Sequence, residues 1–144
     1  MNDTIVKKHH FSLGHKIKDI DKIEYAINTI RPDWDINEKS LFQLNLVLEE
    51  LISNTMFYGF TGRDEGEIDV EIKFDGSQLD VEIQDNAAAY DPTLPVDDVS
   101  AMELEERQIG GLGIMLSQRI SHEMSYKYDD NKNKLKFKIS ANSE

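Results

Sequence analysis

Four segments of this chain alternate apolar and polar side chains with a period of two, and that pattern restricts the fold more than any other feature. In "EIDVEIKF" the apolar set is Ile68, Val70, Ile72 and Phe74; in "LDVEIQD" it is Leu79, Val81 and Ile83, set against Asp80, Glu82 and Gln84. Successive side chains of a strand point to opposite faces, so each segment reads as a strand with one apolar and one wet face. "DGSQ" between them reads as a hairpin turn. "EMSYKYD" and "KLKFKIS" repeat the arrangement around the polar loop "DNKN", with Met124, Tyr126 and Tyr128 facing Leu135, Phe137 and Ile139. A sheet with one wet face must carry its helices on the other. The expected class is therefore α+β: a two-layer α/β sandwich with a mixed, mostly antiparallel sheet and helices on one face. "VKKHHFSL" near the start adds an edge strand.

Two helical patterns supply the second layer. Ile17, Ile20, Ile23, Ile27 and Ile30 recur at three- and four-residue steps, which predicts an amphipathic helix over 16–30 ended by Pro32. A longer one opens after Asp35, with Glu38 as a capping-box partner, and runs to Gly59. It is so apolar that its polar residues Glu50 and Asn54, four apart and so on one face, are expected to meet a pocket. A buried amide or carboxylate needs partners.

A chain of 144 residues with 39% hydrophobic and 31% charged residues suits one domain over 1–144. Its net charge of −12 opposes direct nucleic-acid binding, which depends on clustered Lys and Arg. There is no cysteine, hence no disulfide framework, thiolate nucleophile or thiolate metal site. No apolar run is long enough for a membrane span, and the start lacks a signal-peptide core, so a cytoplasmic location is expected.

Two further clusters carry chemistry. "QDNAAAYDP" ends a strand and begins an irregular stretch of about twenty-five residues, rich in acidic side chains, up to Gly110; a loop of that length suits a lid. Asp85 stands where a carboxylate can reach a cleft at the sheet's edge. "IGGLGIML" then brings Gly110, Gly111 and Gly113 to the start of a helix. No Lys-Ser or Lys-Thr follows as in a Walker loop, and no strand precedes as in a dinucleotide fingerprint. Exposed amides at a helix start attract anions, and glycines permit close approach.

The order and content of these clusters resemble the GHKL (Bergerat-fold) ATPase superfamily, and within it the bacterial anti-sigma-factor serine/threonine kinases of the RsbW and SpoIIAB type. "EELISNTMFYGF" matches the N-box, "DNAAAYDP" the first glycine box, and "EERQIGGLGIMLSQRISHEMSYKYDDNKNKLKFK" the second with the strands after it. The resemblance spans roughly residues 10 to 140. It implies ATP or ADP with Mg²⁺, and an ATP lid over about 86–110. Glu50 would be the general base on a substrate hydroxyl, Asn54 the side-chain ligand of Mg²⁺, and Asp85 the acceptor for the adenine amine. Gly111 and Gly113 would line the triphosphate, with Gly110 beside them and the amides of Leu112 and Ile114 as donors. Arg107, the only basic side chain between Asp85 and the glycines, is a candidate lid cation for the γ-phosphate.

Ala87 and Ala89 stand where the family usually has glycines of the first box. A left-handed backbone there would cost an alanine about 1 to 2 kcal/mol. The implied partners are a sigma factor or similar regulator and a small STAS-type anti-anti-sigma protein, phosphorylated on Ser or Thr; a homodimer stays open. The alternative motivated by the two alanines is a non-catalytic, nucleotide-gated protein-binding module of the same fold.

Overall fold

The computed structural model describes residues 5–63, 65–94 and 112–142. Its longest helix is started by Asn37, whose backbone is extended and whose side-chain oxygen accepts from the Ser40 amide at 2.8 Å. An Asx cap of this kind satisfies one of the amides that a helix start leaves unpaired. This helix, α2 (Glu38–Asn54), therefore begins two residues later than the capping box at Asp35 would place it. Glu38 is its first residue and forms an ion pair with Arg31 instead of reaching back as a cap. Asn142 ties the chain's far end to the same point, accepting from the Asn37 amide at 2.6 Å and donating its own amide to Ser40 Oγ at 2.8 Å. Beyond Asn54 the helix widens into one π turn, Thr55–Gly59, so the predicted end at Gly59 holds while the geometry changes before it.

The first predicted helix is shorter than its apolar spacing implies. Ile17–Ile20 form a 3₁₀ turn, and α1 proper is Asp21–Ile30. Asp19 accepts from the Gly14 amide at 3.0 Å, which ties this turn to the segment before it. Ile17 stays exposed, while Ile23, Ile27 and Ile30 are buried.

Five strands form one sheet in the order β1-β2-β3-β5-β4: β1 (Lys7–Gly14), β2 (Glu67–Phe74), β3 (Gln78–Asp85), β4 (His122–Asp129) and β5 (Lys132–Ser140). Every pairing among the described residues is antiparallel, which corrects the expected mixed sheet. The cause is the path between strands: α1 and α2 carry the chain out and back, so the end of β1 at Gly14 lies opposite the start of β2 at Glu67. The edge strand expected from "VKKHHFSL" is β1. The loop expected over "DNKN" is tighter than that. Asp130 and Asn131, at φ 55° and 58°, form a two-residue turn, and Lys132 and Asn133 already belong to β5. A bulge between His122 and Ser125 sets Tyr126 opposite Leu135 and Tyr128 opposite Asn133, and Tyr128 is left exposed at the sheet's edge.

The apolar phases behave as the alternation requires. Ile68, Val70, Ile72, Leu79, Val81, Ile83, Leu135, Phe137 and Ile139 are buried and share one core with Leu44, Val47, Leu48, Leu51 and Ile52 of α2. Each such side chain contributes roughly 1.5 to 3 kcal/mol relative to exposure. The opposite face carries cross-strand ion pairs such as Lys136–Glu82 and Lys138–Asp80, both at 3.8 Å, whose value at a wet surface is small. The last helix, α3 (Leu112–Ile120), packs beside α2. No helix among the described residues is long and apolar enough to cross a membrane.

Candidate functional site

Antiparallel pairing in this register sets the last residue of β3, Asp85, directly opposite Asn133 of β5. Both are buried polar residues in phase with the apolar side chains of their strands. Asn133 is the hub of the site. Its Nδ2 donates to Asp85 Oδ1 at 2.8 Å, to the Ala88 carbonyl at 3.0 Å and to the Ala87 carbonyl at 3.2 Å. Its Oδ1 accepts from the Tyr90 amide at 3.1 Å and from the Tyr126 hydroxyl. One carboxamide thus locks β3, the loop after it and β4 together, with its hydrogen-bonding capacity used up. Asn133 does not figure among the residues expected from sequence, because "DNKN" reads as a polar loop; its phase with Leu135, Phe137 and Ile139 is the signal that marks it.

Asp85 Oδ1 also accepts from the Ala87 amide at 3.0 Å, while among the described residues no hydrogen bond engages Oδ2. Burial pushes this carboxyl above the usual carboxylate range, against the opposing pull of the Asn133 and Ala87 donors and of nearby Arg63. Asp85 lines a cavity of about 290 Å³ at the end of the sheet, bounded by Asn54 and the π turn on one side and by Ala87, Ala89 and Tyr90 on another. Tyr58, Tyr126 and Ile114 complete much of its wall. Apolar and aromatic walls with a few converging polar groups suit a small organic ligand, and the size is near the lower end of such sites.

Ala87 and Ala89 are free of the strain that glycine would relieve. Among the described non-glycine residues a positive φ occurs at Glu123, Asp130, Asn131 and Asn142, and at neither alanine. The close fit lies across from them. The Ala88 amide donates to the Gly59 carbonyl at 3.0 Å, and a Cβ added to Gly59 would sit 2.6 Å from the Ala87 Cβ. Gly59 makes room for the methyl of Ala87. Gly59→Ala should accordingly destabilise the protein by about 1 to 3 kcal/mol, the usual cost of overpacking, in urea unfolding. Ala87→Gly in the same chain should recover most of it.

The expected residues divide into three groups. Asn54, Asp85, Ala87, Ala89 and Ile114 all line the cavity. Glu50 and Gly113 are brought together beside it: the Glu50 side chain lies along Gly113 in the first turn of α3, outside the cavity wall. α2 and the π turn after it are also less enclosed than their composition implies, since Phe42 and Phe57 are exposed. Leu112 opens α3. Arg107, Gly110, Gly111 and the lid beyond residue 94 lie outside the described residues.

The arrangement fits a nucleotide. Asp85 Oδ2 can accept from an exocyclic amine, and aromatic side chains flank the space a base would fill. Among the described residues no three His, Asp or Glu side chains converge as a metal cage. Mg²⁺ held here through Asn54 would take its remaining ligands from phosphate oxygens and water, as that ion commonly does.

Fold and site together define an α+β domain with a cavity suited to a small organic ligand at the end of its sheet. A family described as the histidine kinase-like ATPase domain matches residues 17–139. The chain belongs to that family. It is similar to the serine/threonine-protein kinase BtrW of Bordetella bronchiseptica, at 32% identity over 106 residues, covering 74% of this chain and 73% of that protein. It is also similar to the serine-protein kinase RsbW of Listeria monocytogenes, at 28% identity over 96 residues, covering 64% of this chain and 61% of that protein. A solved histidine kinase domain, from a blue-light activated histidine kinase of Erythrobacter litoralis, aligns with a TM-score of 0.49 at 16% identity, over 85% of this chain and 59% of that one.

Proposed function

We propose that this protein is an ATP-dependent serine/threonine protein kinase of the anti-sigma-factor type. It binds a sigma factor or comparable regulator in the cytoplasm and phosphorylates a small STAS-type antagonist on Ser or Thr. The observation that carries the reading is a juxtaposition: Asp85 and Asn54 line one cavity, and Glu50 stands one helical turn before Asn54. The names of the two kinase relatives support the same chemistry.

In this mechanism Asp85 would select the base through Oδ2, and Asn54 would hold Mg²⁺, whose charge would offset that of the phosphates. Glu50 takes the proton of the substrate hydroxyl as that oxygen bonds to the γ-phosphorus. The bond from phosphorus to ADP breaks, and ADP leaves with the electron pair. A general base of this kind is worth typically 10² to 10⁴ in rate. Tyr90 and Tyr126 are held by Asn133 at the cavity wall and shape the space for the base.

The alternative, a nucleotide-gated binding module, is motivated by Ala87 and Ala89; neither has a left-handed backbone, so strain does not favour it, while the Ala87 methyl at the cavity wall keeps it a reading to be tested. The deciding experiment incubates the purified chain and γ-labelled ATP with candidate STAS-type proteins. Phosphoserine or phosphothreonine should accumulate on the cognate one to a stoichiometric level. MgADP binding without transfer to any candidate would favour the binding module; failure to bind either nucleotide would overturn both readings.

A further inference from the structure

Glu50 meets α3 at the one residue of that turn that has no side chain. An ideal Cβ built on Gly113 would overlap Glu50 Oε2, and would stand 2.9 Å from its Cδ and 3.5 Å from its Cβ. The whole Glu50 side chain, and not its tip alone, therefore runs along the bare Cα of Gly113. Chain elements with different jobs meet here: α2 also carries Asn54, four residues on, and α3 also carries Ile114, whose side chain is buried at the cavity wall. A substituent at 113 would push the carboxylate away without touching Asn54 or Asp85. The Gly113 carbonyl is held from the other direction by Ser117 Oγ at 2.9 Å, which ties this turn to the body of α3.

We propose that Gly113 is a positioning residue for Glu50: its missing side chain sets where the carboxylate stands, whatever its backbone contacts. This rests on the kinase reading, in which Glu50 is the base. It goes beyond the expectation drawn from the glycine-rich sequence, where Gly113 lines the triphosphate. Phosphate contact would show in nucleotide binding, and positioning of Glu50 in the chemical step.

The test is Gly113→Ala, studied with MgATP and the cognate protein substrate. Phosphoryl transfer at saturating ATP should fall about 10²-fold or more, as when a general base is misplaced, while the Kd for MgADP stays within about threefold. Glu50→Asp shortens the acid by one carbon and withdraws it from the glycine. If Gly113 acts through Glu50, Gly113→Ala adds little to the loss already caused by Glu50→Asp, a non-additivity expected of residues in contact. Loss of MgADP affinity with kcat unchanged would overturn the proposal, as would full additivity in the double variant. Should Gly113→Ala fold poorly alone, Gly113→Ala in the Glu50→Asp background, where the shorter acid leaves room for the methyl, is compared with Glu50→Asp: equal transfer supports the proposal and a further large fall overturns it. The ¹³C resonance of the Glu50 carboxyl separates this claim from the kinase reading. It should move in Gly113→Ala whether or not any substrate is phosphorylated, and an unmoved resonance would overturn the positioning role alone.

Discussion

Glu50→Gln should lower phosphoryl transfer to the cognate protein by about 10²- to 10⁴-fold while leaving the fold and nucleotide affinity unchanged. Glutamine matches glutamate in length and shape, so it can lie along Gly113 as the carboxylate does. What it lacks is a basic oxygen able to take the hydroxyl proton. Because Glu50 is outside the cavity wall, the substitution removes no group from around the base or from the proposed Mg²⁺ ligand at Asn54. Single-turnover transfer from labelled ATP gives the rate, and MgADP titration with thermal unfolding gives the two controls. Transfer at the wild-type rate would remove Glu50 from the mechanism. Loss of nucleotide binding in step with transfer would move it into the nucleotide site.

The parts of this molecule legible in sequence are those fixed by short-range periodicity. The alternation of β2 and β3 sorts their side chains into buried and wet sets, and the hairpin at "DGSQ" fixes their pairing. Asn54 is legible because it and Glu50 are polar residues four apart on an otherwise apolar helix, and Asp85 because it stands where a strand gives way to an irregular loop. Asn133 was obscured because the turn-forming pair Asp130–Asn131 stands just ahead of the polar Lys132 and Asn133, so the apparent loop extends by two residues. Its importance also depends on register, since only pairing of β3 with β5 sets it against Asp85. Gly113 shows a different limit. Its position in a glycine-rich run suggested phosphate contact, but the residue it accommodates lies 63 positions away on α2. No local pattern encodes such a contact. The same holds for Gly59 and Ala87, which are complementary only once the π turn brings them together.

Removing Asn133 should be the most damaging single change to the cavity. Asn133→Ala takes a donor from Asp85 and from the Ala87 and Ala88 carbonyls, and an acceptor from the Tyr90 amide and the Tyr126 hydroxyl. Buried groups left unpaired cost about 1 to 3 kcal/mol each, and with some reaching water the total destabilisation should be on the order of 3 kcal/mol in urea unfolding at neutral pH. The pH dependence distinguishes this from simple cavity formation. Asp85 already titrates above its ordinary range, so its protonated form favours the folded state. That contribution is present in full below the unfolded carboxyl pKa and is lost as pH rises through the folded one. Loss of the Asn133 donor raises the folded value further, because a hydrogen bond to the ionised form is gone. The stability gap between variant and wild type should thus be widest at neutral pH and narrow on acidification. If Asp85 accepts from the adenine amine as proposed, adenine nucleotide affinity should begin to fall at a higher pH in the variant than in the wild type. A gap that is the same at every pH would mean that Asn133 braces the loop without acting on Asp85.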